Sequence, residues 1–182
     1  RGVSVLDVDH ESHSEQQSIA STRTFRPPTK DRTRVWAELV KNIETACRRA
    51  REKGYVSGHV HCFLKSQEFQ YRRFECALVG RTDTPSTIAS VVRPLFEQAF
   101  ARGVVYRATG ITLASLTPKS VVQTDLFSQH KRVTEVDAVW STVDAMGARF
   151  GTDAVFLAAS MGARVHRVYR PSLGLPYMGD VT

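Results

Sequence analysis

Two imidazoles stand two residues apart in His59-Val60-His61. On an extended segment that spacing puts both on one face, an arrangement metal sites use. No third ligand stands beside them in the sequence, so the pair reads as part of a polar, open sheet face and no metal is expected. Asp7-Val8-Asp9 offers two carboxylates at the same spacing, which nucleotidyl transfer could use to hold a metal ion. No further acidic partner follows nearby, and the segment reads as the end of a linker; no catalytic residue is assigned. A different chemistry is offered by Ser18-Ile19-Ala20-Ser21-Thr22-Arg23-Thr24-Phe25, whose hydroxyls and backbone N–H groups, on an exposed strand, suit phosphate oxygens. Gln123-Thr124-Asp125-Leu126-Phe127 places an isolated Leu-Phe pair in polar surroundings. Such a pair either anchors a peptide-like docking contact or packs within its own chain.

Composition narrows the partners. The net charge is +7 with a sequence pI of about 9.7, a surplus that favours a polyanion. Apolar content of 42% over 182 residues supports one well-cored domain plus an extension. The first residue is Arg1 rather than Met, which suggests a piece of something longer. Cys47, Cys62 and Cys76 lack CxxC spacing and fall in apolar-periodic segments, so they read as small core residues of a protein in a reducing cytoplasm. No apolar run reaches membrane-spanning length, and no membrane partner is expected.

The elements that must position these groups follow from periodicity. A short strand, residues 18–25, stops at Arg26-Pro27-Pro28. Ile19 and Phe25 share a phase with Arg23, so alternation leaves the direction of Arg23 open. From Asp31 to about Lys53 the period is helical, with Trp36, Leu39, Val40, Ile43, Ala46, Cys47 and Ala50 on one stripe. The opposite face, carrying Arg34, Glu38, Lys41, Glu44, Arg48 and Arg51, reads as solvated, and Gly54 is the stop. Tyr55–Lys65 and 70–79 alternate as a hairpin. Thr84-Pro85 starts a second helix with Ile88, Val91, Val92, Leu95, Phe96 and Ala99 on one stripe, Pro94 expected to kink it and Gly103 to close it. The stretch Val104–Leu116 reads as one long strand, with Gly110 marking a bulge or the close approach of another backbone. Thr134 is expected to cap a third helix, Glu135 to Phe150. Ala154–Ala159 reads as a short apolar strand or extended segment, and the remainder, with Arg164, His166, Arg167 and Arg170, as a basic, poorly ordered tail.

Strand, helix, strand, strand, helix, strand is the split βαβ order. The fold class is therefore α+β: a four-stranded antiparallel or mixed sheet with two helices on one face, plus a C-terminal helical extension. Both helical stripes need an apolar partner, and one sheet face supplies it. The other face stays open, and the phasing puts His59, His61, Lys65 and Arg73 on it. A bulge at Gly110 would flip the phase and add Arg107. An open, basic, hydroxyl-bearing sheet suits a nucleic-acid backbone.

The first strand, together with Tyr106-Arg107-x-x-Gly110-Ile111-x-Leu113, resembles the little-finger domain of Y-family translesion DNA polymerases. The Asp-bearing helical segment ending Arg149-Phe150-Gly151, followed by Val155-Phe156-Leu157-Ala158-Ala159, is similar to the same family, nearest its UmuC-like branch. So is the closing Leu175-Pro176-Tyr177-Met178-Gly179-Asp180-Val181. The resemblance implies that residues 1–17 are a linker from a missing thumb domain, 18–118 the little finger and 119–182 a C-terminal extension. It implies a domain that grips duplex template–primer DNA, with Ser21, Thr22, Arg23, Thr24, Arg107 and Thr112 among the phosphate contacts. Gln123, Leu126 and Phe127 match the bacterial sliding-clamp-binding pentapeptide, where Thr124 departs from the usual Leu, so a sliding clamp is the second implied partner. Mg and nucleotide substrates would belong to the missing palm, and this segment carries no cofactor of its own.

Two other readings compete. An RNA-recognition-like sheet shares the topology, but its Lys/Arg-Gly-Phe-type motif is absent from Tyr71-Arg72-Arg73-Phe74. A purely protein-docking piece of a catalytically silent polymerase relative would work through Leu126 and Phe127.

Overall fold

The computed structural model describes residues 17–121 and 130–165. Six elements form the main body: β1 (Ile19–Thr29), α1 (Arg32–Glu52), β2 (Tyr55–Ser66), β3 (Tyr71–Thr82), α2 (Pro85–Ala99) and β4 (Tyr106–Pro118). The strands form one antiparallel sheet in the order β1-β4-β2-β3, so β4 is central and β1 lies at an edge. Asp31 caps α1 by accepting a hydrogen bond from the Thr33 N–H at 2.9 Å, and Gly54 leaves the helix at φ +72, a conformation glycine takes without strain. Thr84 occupies the corresponding place before α2, but its hydroxyl makes no capping bond there; Pro85 opens the helix.

Packing follows the two stripes. Leu39, Val40, Ile43, Ala46 and Cys47 of α1 and Ile88, Val92 and Phe96 of α2 are fully buried against Val60, Leu64, Ile111 and Leu113 of the sheet. At about 25 cal/mol per Å² of apolar surface removed from water, this layer is the main source of stability. Burial pushes the thiols of Cys47 and Cys62 far above the ordinary range, so they are inert core groups.

Several elements run differently from the sequence reading. β1 continues through Pro27 and Pro28 to Thr29; neither proline is paired, because the register with β4 shifts between Thr24 and Thr29, so no ladder bond needs their missing N–H groups. β3 continues past Gly80 to Thr82, with a register shift between Ser57 and His59 of its partner. α2 contains Pro94 on its exposed side, as its sequence implies, but ends at Ala99 with Phe100 as its C-cap, short of Gly103. Gly110 is in regular register with Thr22 and Phe63, so it is no bulge. The irregularity falls at Arg107 instead: Lys65 pairs with Ala108 and Ser66 with Tyr106, leaving Arg107 as the extra residue. Gly110 is small because side chains from both neighbouring strands close over it. A Cβ there would lie 2.4 Å from Phe63 Cε1 and 2.6 Å from Thr22 Cγ2.

The C-terminal part is a third helix, α3 (His130–Phe150), a 3-10 turn at Ala158–Ser160 and a short α4 (Gly162–Val165). Thr134 thus lies inside α3 rather than capping it, and residues 154–159 are no strand: a bend at 154–155 leads through an extended Leu157 into the 3-10 turn. The charged face of α1 is not solvated but is where this extension docks. Arg164 bonds Glu44 at 2.8 Å and also pairs with Asp153, with its side chain 12% exposed. Glu44 also accepts from the Leu157 N–H at 2.5 Å. Arg51 forks onto Asp144 at 2.6 and 2.8 Å, beneath the Trp140 ring at 5.1 Å. Lys119 bonds Asp83 and Asp137, both at 3.0 Å. Burial opposes its charge, but those bonds together outweigh burial and raise its pKa. Glu38 and Lys41 are buried beside this latch, and burial lowers the Lys41 pKa against the pull of Asp153.

Two outcomes follow from this packing. Gly110→Ala forces the overlying side chains aside and lowers the unfolding free energy by about 1–3 kcal/mol in urea melts. The loss shrinks in a Phe63→Ala background. Arg164→Ala frees the extension, so residues 151–165 become protease-sensitive and lose hydrogen-exchange protection while the sheet amides keep theirs.

Candidate nucleic-acid interface

Register sets the open face row by row. Across β1, β4, β2 and β3 one row reads Ala20, Thr112, His61, Glu75; the next reads Thr22, Gly110, Phe63, Arg73; the third reads Thr24, Ala108, Lys65, Tyr71. A fourth, without β1, holds Ala114, His59 and Ala77. Both helices lie against the opposite side, and the described part of the extension docks on α1, so these rows face outward.

The third row ends at the β2–β3 turn, where the cations gather on aromatic rings. Lys65 Nζ lies 4.7 Å from the Phe69 ring centre and 4.8 Å from that of Tyr71. The guanidinium of Arg107 lies 4.7 Å from Phe69 and that of Arg73 5.1 Å from Tyr71. The bulge at Arg107 is what allows it to reach the same ring as Lys65. Phe69 holds its place in the turn at φ 66, left-handed backbone that a bulky side chain seldom adopts. The turn is closed by Ser66, whose N–H donates to Gln70 O at 2.9 Å and whose hydroxyl accepts from the Gln70 N–H at 3.1 Å. Phe69 and Tyr71 are exposed, and the sequence reading did not assign either to the site. The available signal was two aromatics between Lys65 and Arg73 in a polar turn.

In the first row, Glu75 Oε2 lies 2.6 Å from His61 Nδ1 and 4.0 Å from His59 Nε2, and the two imidazole rings are 4.7 Å apart. Thus His59, His61, Lys65, Arg73, Thr22, Thr24 and Thr112 share the open face, and Arg107 joins them through Phe69.

Two candidate residues lie elsewhere. Ser21 is buried beneath α1 and donates to Asn42 Oδ1 at 3.3 Å. The same Asn42 donates to Thr109 O at 3.1 Å and Thr109 Oγ1 at 2.9 Å, so Ser21 belongs to a buried polar bridge between β1, α1 and β4. Arg23 shares the phase of Ile19 and Phe25 and turns toward α1, with Nε 3.9 Å from Glu38 Oε2. The edge of β1 is likewise engaged by α1: Arg49 donates to Ala20 O at 2.9 Å and Arg34 to Arg26 O at 3.2 Å. Gln123, Leu126 and Phe127 lie outside the described residues, as do Asp7 and Asp9. Among the described residues, no helix is long and apolar enough to cross a membrane.

The chain is similar to several known proteins. The impB/mucB/samB family C-terminal domain matches residues 16–126. DNA polymerase IV of Moorella thermoacetica is 28% identical over 161 residues, covering 88% of this chain and 40% of that protein. The chain therefore spans less than half the length of this curated relative. Among solved structures, a chain of the insertion ternary complex of Dbh DNA polymerase is 12% identical with a TM-score of 0.45, covering 53% of this chain and 28% of that one. The complex of beta-clamp processivity factor and little finger domain of PolIV includes a chain 16% identical with a TM-score of 0.43, covering 60% of this chain and 98% of that one. The match over residues 16–126 takes in the whole four-stranded sheet and both covering helices, and the chain belongs to the impB/mucB/samB family, whose C-terminal domain, the little finger of Y-family DNA polymerases, it carries.

Proposed function

We propose that this domain holds template–primer duplex DNA for a translesion DNA polymerase, by contacts to the sugar–phosphate backbone that do not read the bases. The observation that carries the reading is the outward sheet face, where Lys65, Arg73 and Arg107 converge on one rim and Thr22, Thr24 and Thr112 supply hydroxyls across it. Cations and hydroxyls of this kind position a protein on phosphates without sequence information. Such a grip suits synthesis across damaged bases, because nothing in it inspects the base pair. Polymerisation itself, with its Mg ions and nucleotides, belongs to a palm domain elsewhere in a full-length cytoplasmic polymerase. The segment holding Gln123, Leu126 and Phe127 is the docking peptide for a sliding clamp, which would keep the domain near the primer terminus.

A second reading, stacking of single-stranded bases on Phe63, Phe69 and Tyr71, has the rings in its favour. Lys65, Arg73 and Arg107 already lie over Phe69 and Tyr71, and Phe63 lies over Gly110. Stacking would have to displace those contacts.

Anisotropy titrations with a labelled primer–template duplex separate these readings. Affinity is expected to fall as salt rises, equally for unrelated sequences. Lys65→Ala, Arg73→Ala and Arg107→Ala each reduce the slope of log K against log salt by about one. Ser21→Ala is expected to cost about 1 kcal/mol of stability and leave affinity unchanged. Salt-insensitive binding overturns the proposal, and tighter binding of single strands than of duplex favours the stacking reading. In a separate pulldown with purified bacterial sliding clamp, Phe127→Ala is expected to abolish capture while duplex affinity stays as in the parent chain.

A further inference from the structure

Glu75 is the one carboxylate in the four outward rows, and it stands where a phosphate-binding surface is least served by negative charge. Its surroundings give it another use. His59 and His61 project from alternate positions of β2, and Glu75 faces His61 directly across the β2–β3 pair. One ligand atom from each of the three lies within 4.8 Å of the others. Donors around a tetrahedral zinc ion, each bonded at about 2.0–2.2 Å, stand roughly 3.4 Å apart. The observed 2.6 Å and 4.0 Å separations lie on either side of that value, so small side-chain rotations would bring all three onto one ion.

We propose that His59, His61 and Glu75 form a binding site for a divalent transition-metal ion of the zinc class, with its remaining coordination position turned outward. Two imidazoles and a carboxylate match zinc and its neighbours better than magnesium or calcium, which take oxygen ligands. All three ligands stand on two paired strands of a sheet, so their backbones are fixed relative to one another. All three are accessible from solvent, so an ion can enter and exchange. Binding replaces the single negative charge of Glu75 by a net single positive charge. The open position can take water or an anionic oxygen. On the DNA-binding reading, an ion here would turn the repulsive group of the first row into an attractive one; metal uptake itself does not depend on that reading.

The test uses the whole chain, free of any affinity tag and stripped with chelator, titrated with Co(II) and with Zn(II) in the absence of DNA. One equivalent of Co(II) is expected to bind and develop the visible absorption of a low-coordinate cobalt site, displaced by Zn(II). His59→Ala/His61→Ala is expected to abolish that signal, Glu75→Gln to weaken binding about tenfold or more, and His10→Ala/His13→Ala to leave it unchanged. Zinc should raise the melting temperature of the parent chain but not of the double variant, which must itself melt cooperatively. Absence of stoichiometric uptake, or uptake unchanged in the double variant, overturns the proposal. Duplex affinity measured with and without chelator then bears on DNA binding separately: loss of DNA binding with metal uptake intact sinks the functional reading alone.

Discussion

Water is excluded almost completely from Leu39, Val40, Ile43, Leu64, Ile111 and Leu113, and the burial of that single side of the sheet beneath α1 and α2 is the constraint under which everything else operates. Strand side chains alternate, so fixing one set inward fixes the other set outward. A slip of one residue in β2 would put His61 and Lys65 in the core and Val60 and Leu64 in water. The composition of the outward face is therefore protected by the packing of the inward one. The buried bridge from Ser21 through Asn42 to Thr109 adds directional bonds to a layer that apolar contact alone would leave free to slide.

The surplus of basic residues is divided between two unlike jobs. Behind α1, Arg51, Arg164 and Lys119 are spent on Asp144, Glu44, Asp153, Asp83 and Asp137, holding the extension to the domain. In front, Lys65, Arg73 and Arg107 meet aromatic rings rather than carboxylates. A ring orders a cation without cancelling its charge, whereas a carboxylate does both.

Periodicity was sufficient for the element order, both helical stripes and the outward phase of β2, because each rests on one dominant physical signal. Arg23 was left undecided by alternation, and its phase mates Ile19 and Phe25 turn out to lie in the core, with Arg23 directed to their side. Burial of the Ser21 hydroxyl is not legible in sequence, because a hydroxyl on a strand looks the same whether it meets phosphate or a buried Asn42. A glycine within a strand points to a bulge or a backbone contact, whereas Gly110 is a seat for Phe63 and Thr22, residues distant in sequence. Glu75 escaped notice as a partner of the two histidines for the same reason: strand pairing, not proximity along the chain, brings it there. The charged face of α1 looked solvent-directed because its acidic and basic partners lie about a hundred residues downstream.

The seating of Lys65, Arg73 and Arg107 on Phe69 and Tyr71 also bears on the entropy of association. Long cationic side chains ordinarily surrender rotational freedom when they engage a ligand, at about 0.5–1.5 kcal/mol for each one immobilised. Here much of that freedom is already lost in the unliganded fold, held by a turn whose Phe69 backbone sits in a sparsely populated conformation. The cost was met during folding, by the same hydrophobic layer that fixes the sheet, and a polyanion arriving at this rim meets charges already in place.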